Sequence, residues 1–152
     1  MFRNIVILLI VLSSFPGMAQ KVVEARQTEE RKGLVYLKGD NTPFTGMAVT
    51  WFPSGKKQIE APYLVGKENG VETSWFPDGK VMMEITYRDG EFNGSYKFYY
   101  VEGGLEYEKM YSGGLMNGPS THYYHDGKKW VIVQFFHHKR LNLRLASTIY
   151  RL

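Results

Sequence analysis

A chain of 152 residues with 43% hydrophobic and 22% charged content has room for one globular domain. It contains no cysteine, which excludes a disulfide framework, a thiolate zinc site, a catalytic thiol and lipid attachment through an N-terminal cysteine. The net charge of +4 is unevenly held: residues 20–126 carry 12 basic and 15 acidic residues, whereas six basic residues and no acidic one lie beyond Gly127.

Residues 1–19 read as an export signal. Arg3 supplies the positive start, Ile5 to Leu12 is an unbroken apolar run, and small residues at Gly17 and Ala19 precede Gln20. A run that short does not reach the ~20 residues that a bilayer core requires, which counts against the rival reading of an uncleaved anchor. Export to the periplasm or cell surface is the expectation. Residues 20–33 are polar and lack an apolar stripe, which predicts a leader or a short helix of low stability. In residues 34–45, Leu34 and Tyr36 mark a strand and Lys38-Gly39-Asp40-Asn41 is turn chemistry, as expected of an atypical cap on a repeat array.

Residues 46–135 repeat with a period of 24 and without a gap. Gly46, Gly70, Gly94 and Gly118 open the copies. The pair Trp51-Phe52 returns as Trp75-Phe76, Tyr99-Tyr100 and Tyr123-Tyr124, and a turn glycine follows at Gly55, Gly79, Gly103 and Gly127. Glu60, Glu84 and Glu108 form a further column, as do Tyr63, Tyr87 and Tyr111. Each copy predicts a hairpin: a strand over about Gly46 to Phe52, a turn over Pro53 to Lys56, and a strand over about Lys57 to Tyr63. Ile59/Ala61/Tyr63, Met83/Ile85/Tyr87 and Val131/Val133/Phe135 then share one face, and the glutamates take the other. Val65 to Asn69, Asp89 to Asn93 and Gly113 to Asn117 are expected to return the chain, with left-handed backbone at both the glycine column (Gly66, Gly90, Gly114) and the asparagine column (Asn69, Asn93, Asn117). The fold class is therefore all-β, an elongated antiparallel meander of stacked hairpins with a slender core, with short helices allowed at either terminus.

The segments GVETSWFPDGK, GSYKFYYVEGG and GPSTHYYHDGKKW resemble the MORN-repeat variant family, bacterial proteins whose copies pair a glycine, two aromatics and a Gly-Lys turn. The resemblance covers about Leu34 to Trp130. It implies a sheet of stacked hairpins that binds proteins or membranes, and no shared catalytic residues; some members are antitoxins of toxin-antitoxin systems.

The candidate binding residues are the doubled aromatics Trp51, Phe52, Trp75, Phe76, Tyr99, Tyr100, Tyr123 and Tyr124, with Glu60, Glu84 and Glu108. On a strand each aromatic pair would put one ring on either face, one in the core and the other under a return loop or in an exposed stripe. The glutamates would sit two strands apart, about 9 to 10 Å. Retaining glycosidases need about 5 Å and inverting ones a cleft, so a surface ladder partnered by Lys56, Lys57 and Lys80 is the better reading. His122 and His125, three apart on a strand, would diverge, as would the adjacent His137 and His138. No catalytic residue, metal site or cofactor is assigned.

The basic tail, residues 136–152, breaks the repeat columns and reads as an amphipathic helix, an edge strand, a solvated terminus or an altered end. It could touch anionic lipid. Nucleic acid is disfavoured by the acidic body. The expected function is a non-enzymatic exported module that binds another protein, with a toxin-neutralising antitoxin or immunity protein as one alternative and an envelope lipid- or glycan-binding module as another.

Overall fold

The computed structural model describes residues 21–136 and the backbone of 139–140. The expected export signal over residues 1–19, His137, His138 and most of the basic tail lie outside the described residues.

Thirteen strands occur in that span. The first, β1 (Val22–Glu24), runs parallel to β4 (Gly46–Trp51) at one edge of the main sheet. A single 3-10 turn, Ala25–Gln27, separates it from β2 (Thr28–Arg31), which pairs with β3 (Leu34–Leu37) as a small separate hairpin. The segment expected to be a loose leader is thus largely paired. Its backbone groups find partners in β4 and β3, which a polar sequence can use as well as an apolar one.

After β4 the chain continues through β5 (Lys57–Leu64), β6 (Lys67–Glu68), β7 (Gly70–Trp75), β8 (Val81–Arg88), β9 (Glu91–Tyr99), β10 (Leu105–Ser112), β11 (Leu115–Tyr123), β12 (Lys129–Phe136) and β13 (Lys139–Arg140). From β4 onward each pairs antiparallel with its chain neighbour in one long meander, with β6 and β7 both pairing β5. The expected hairpin-repeat ribbon is what forms.

Two kinds of turn alternate. At one end of the sheet the Pro-Ser-Gly and Pro-Asp-Gly loops close: Gly55 N donates to Phe52 O at 2.9 Å and Phe52 N to Lys56 O at 2.9 Å, and the same two bonds recur from Phe76, Tyr100 and Tyr124. At the other end the turns are only two residues long. Val65-Gly66, Asp89-Gly90 and Gly113-Gly114 each place two successive residues at positive φ, the signature of a type I′ turn. Asn69, Asn93 and Asn117, expected to be left-handed, are not among the positive-φ residues. The strand has already restarted before them, so the return segment is mostly ladder and only briefly turn.

The burden falls instead on the glycine after each asparagine. Opposite Thr86, β9 carries Asn93, Gly94 and Ser95, and the pairing resumes at Ile85 with Tyr96. The same bulge recurs opposite Met110 around Gly118, and Asn69 N donates to Pro62 O at 2.9 Å beside Gly70. A Cβ on Gly94 would stand 2.9 Å from Thr86 Cβ, and one on Gly118 2.9 Å from Met110 Cβ. Three residues against one is an excess of two, so side-chain alternation passes through the bulge unchanged.

The core is concentrated in β4 and β5. Ala48, Val49 and Ala61 are buried there, with Phe44 just before β4 and Ile85 further along. Phe44 lies against Tyr63 with ring centroids 5.9 Å apart, and burying such a ring is worth about 2 to 3 kcal/mol. The β2–β3 hairpin closes this end through Phe44 N to Val35 O and Val35 N to Gly66 O, both 2.8 Å. Among the described residues no helix is long and apolar enough to cross a membrane.

Candidate functional site: two unlike sheet faces

Register divides the repeat columns between two faces. Across one face runs the row Val49, Glu60, Thr73, Glu84, Lys97, Glu108, Thr121, Ile132, each the cross-strand neighbour of the next. The three glutamates therefore stand two strands apart, as the period requires, with Thr73 and Lys97 between them.

The first ring of each aromatic pair joins them. Tyr99 Oη donates to Glu84 Oε2 at 2.8 Å, and Lys57 pairs with Glu60 while its ammonium sits 5.7 Å from the Trp75 ring centroid. Burial, then Glu84 and Glu108, push the Tyr99 phenol up to about 12. Alternation from Val49 and Thr121 places Trp51 and Tyr123 on this face too, and Trp51 is 44% exposed. The acidic and aromatic columns named from sequence are thus brought together.

Each strand ends at the first ring, so the second rings start from the turns; Tyr124 still reaches the opposite face, its ring 5.9 Å from Trp130, which meets His122. Phe52, Phe76, Tyr100 and Tyr124 open the turns and line the turn end of the ribbon. None of the eight rings is buried, so the expected core ring in every pair is absent. The reason is that one layer of sheet has nothing stacked on it at this end.

Here the turns hold one another. Lys56 Nζ donates to Asp78 O at 2.8 Å, and Lys80 Nζ to Val101 O at 3.0 Å. Of the lysines expected to partner the glutamates, only Lys57 does so; Lys56 and Lys80 reach along the turn row because they lie inside the turns. The third copy has Gly104 where the lysine would be. Tyr100 takes over, donating from Oη to Tyr123 O at 2.7 Å and stacking on His125 at 3.8 Å.

The opposite face is a field of rings. Phe98 and Tyr107 stack at 5.3 Å, Tyr96 and Tyr107 at 5.9 Å, and Phe92 meets Tyr87 at 5.1 Å and Tyr111 at 5.2 Å. Lys109 lies over Tyr107 at 4.6 Å. Burial pushes the phenols of Tyr87, Tyr107 and Tyr111 up. Nearer β5 the face turns acidic: Tyr63 Oη contacts Glu68 at 3.4 Å, and burial raises the carboxyls of both Glu68 and Glu72. Phe92 falls in the Asp89 to Asn93 stretch expected to return the chain, and Tyr96 and Phe98 fall on an expected strand but in no repeat column, so the sequence attaches no site reading to them. Their alternation around Asn93-Gly94 was the available signal.

His122 packs against Tyr107 and Trp130, and His125 against Tyr100, so the two imidazoles serve as rings in separate stacks. Among the described residues no group of three His, Asp or Glu is placed to hold a metal ion. Two shallow grooves, of about 320 and 350 Å³, lie beside Trp51, at the Val49 end of the glutamate row, and beside Tyr63.

No curated protein and no solved structure matches the chain. The family model for the MORN repeat variant matches residues 68–89, the stretch from β6 to the Asp89-Gly90 turn, and the chain carries that repeat there.

Proposed function

We propose that this repeat protein is a non-enzymatic binding module, exported from the cytoplasm, whose acidic and aromatic face grips a basic surface on another protein. The observation that carries this reading is the convergence of Glu60, Glu84 and Glu108 with Trp75 and Tyr99 on one open face. A flat row of charges interleaved with rings suits a protein contact, in which aromatic anchors and complementary charge set affinity and register. The apolar run in residues 1–19 supports export.

The test is capture of envelope proteins by the purified chain and by a Glu84→Lys/Glu108→Lys variant. The reading expects a protein retained by the parent chain and lost at least about tenfold by the variant, as like-charge juxtaposition costs several kcal/mol. Equal capture by both overturns it. A toxin domain among the retained proteins would make the module a neutralising one.

A further inference from the structure

The ring face presents rows that are complementary to themselves. Glu72, Ile85, Tyr96 and Lys109 are successive cross-strand neighbours on β7, β8, β9 and β10. The adjacent row is Ser74, Met83, Phe98 and Tyr107. Each runs from one extreme to the other, acid to base in the first and small to large in the second.

We propose that a second copy of this chain packs face to face on these rows, about a two-fold axis along the strands between β8 and β9. That operation reverses each row. Glu72 then meets the second copy's lysine at position 109, and the part-exposed Met83 meets its phenylalanine at position 98, over a floor formed by the buried Ile85 and Ser74. A two-fold interface uses one patch twice, so reversal onto itself is the property such a patch must have.

The unpaired state of the face supports the pairing. Among the described residues no cation pairs with Glu72, and its carboxyl lies above the usual range because of burial and the nearby Glu68. Lys109 rests over rings and forms no ion pair among the described residues. Packed sheets stand about 10 Å apart, a gap that long side chains such as Glu and Lys close. Four strands of about eight residues give on the order of 500 Å² of flat area, and side-chain relief carries that toward the ~800 Å² per partner of a standard interface. The β2–β3 hairpin covers the neighbourhood of Tyr63, while on β7 to β10 Glu72, Met83, Tyr96, Phe98, Tyr107 and Lys109 stay part-exposed above the buried Ser74 and Ile85.

Sedimentation velocity tests this on the protein as it accumulates in cells expressing the full sequence. The expected result is a dimer. Glu72→Lys and Lys109→Glu, singly, set like charges opposite one another and raise the dimer dissociation constant about tenfold or more. The double variant restores dimerisation, a recovery that neither misfolding nor a general loss of charge would produce. A monomeric parent chain overturns the proposal, as does a double variant that stays monomeric. Glu84→Lys, on the other face, leaves the dimer intact, so loss of partner capture and loss of the dimer are separate results.

Discussion

The two faces of the ribbon are written by the same repeat columns and differ only in parity. On one face Phe98, Tyr107, Tyr96 and Tyr111 pack mainly ring against ring, with Lys109 as the cation laid over them. On the other, Tyr99 and Trp75 are each engaged by charge, through Glu84 and Lys57. A residue's neighbour two places along thus matters more than its neighbour beside it, as strand geometry demands. Parity survives the length of the ribbon because the bulges at Gly94 and Gly118 add two residues, while the one-residue bulges, as where Trp51 faces Lys57, fall at the strand ends beside the turns.

The change that breaks this comparison most severely is at the bulge. Gly94→Val puts a branched side chain at φ 128° against Thr86, and should cost about 3 kcal/mol by urea unfolding, with both faces lost together. Next is Tyr107→Ala, which removes the ring shared by three stacks and should cost about 2 kcal/mol, less than a fully buried aromatic because the face is half open. Tyr99→Phe removes one hydrogen bond from the acidic face and should cost about 1 kcal/mol. Smaller still is Lys57→Met, an exposed pair worth under about 0.5 kcal/mol.

Alkaline pH sharpens the contrast. A phenol whose pKa is raised on folding stabilises the fold fully below its unfolded value of 10.0 and loses that contribution as pH rises through the folded value. For Tyr99 the window runs from 10.0 to about 12. Ultraviolet titration should therefore find Tyr99 ionising late, and Glu84→Gln should bring it earlier by removing the neighbouring charge.

The ribbon was legible in the sequence because period 24 and strand alternation are local signals. The separation of Ile59, Ala61 and Tyr63 from Glu60 follows from them and is found in the register. The turn ends were harder. A two-residue turn such as Asp89-Gly90 followed by a bulge at Asn93-Gly94 has the same composition as one long loop, so the sequence alone gives Phe92 no face. The strand ends are hidden for a related reason: whether the strand stops at Tyr99 or Tyr100 depends on a backbone bond, Tyr100 N to Gly104 O, that side-chain identity does not announce. The pairing of Val22–Glu24 with β4 depends on a partner more than twenty residues away.

The central claim is that successive repeats advance along one continuous sheet with the glutamate column always on the same face. Because the chain has no cysteine of its own, spin labels can be placed cleanly at Glu60→Cys/Glu84→Cys and at Glu60→Cys/Glu108→Cys. With about 4.8 Å per strand, the account predicts backbone separations of about 10 Å for the first pair and about 19 Å for the second, each a single narrow distribution. Equal separations for the two pairs, or a broad distribution for either, would contradict it.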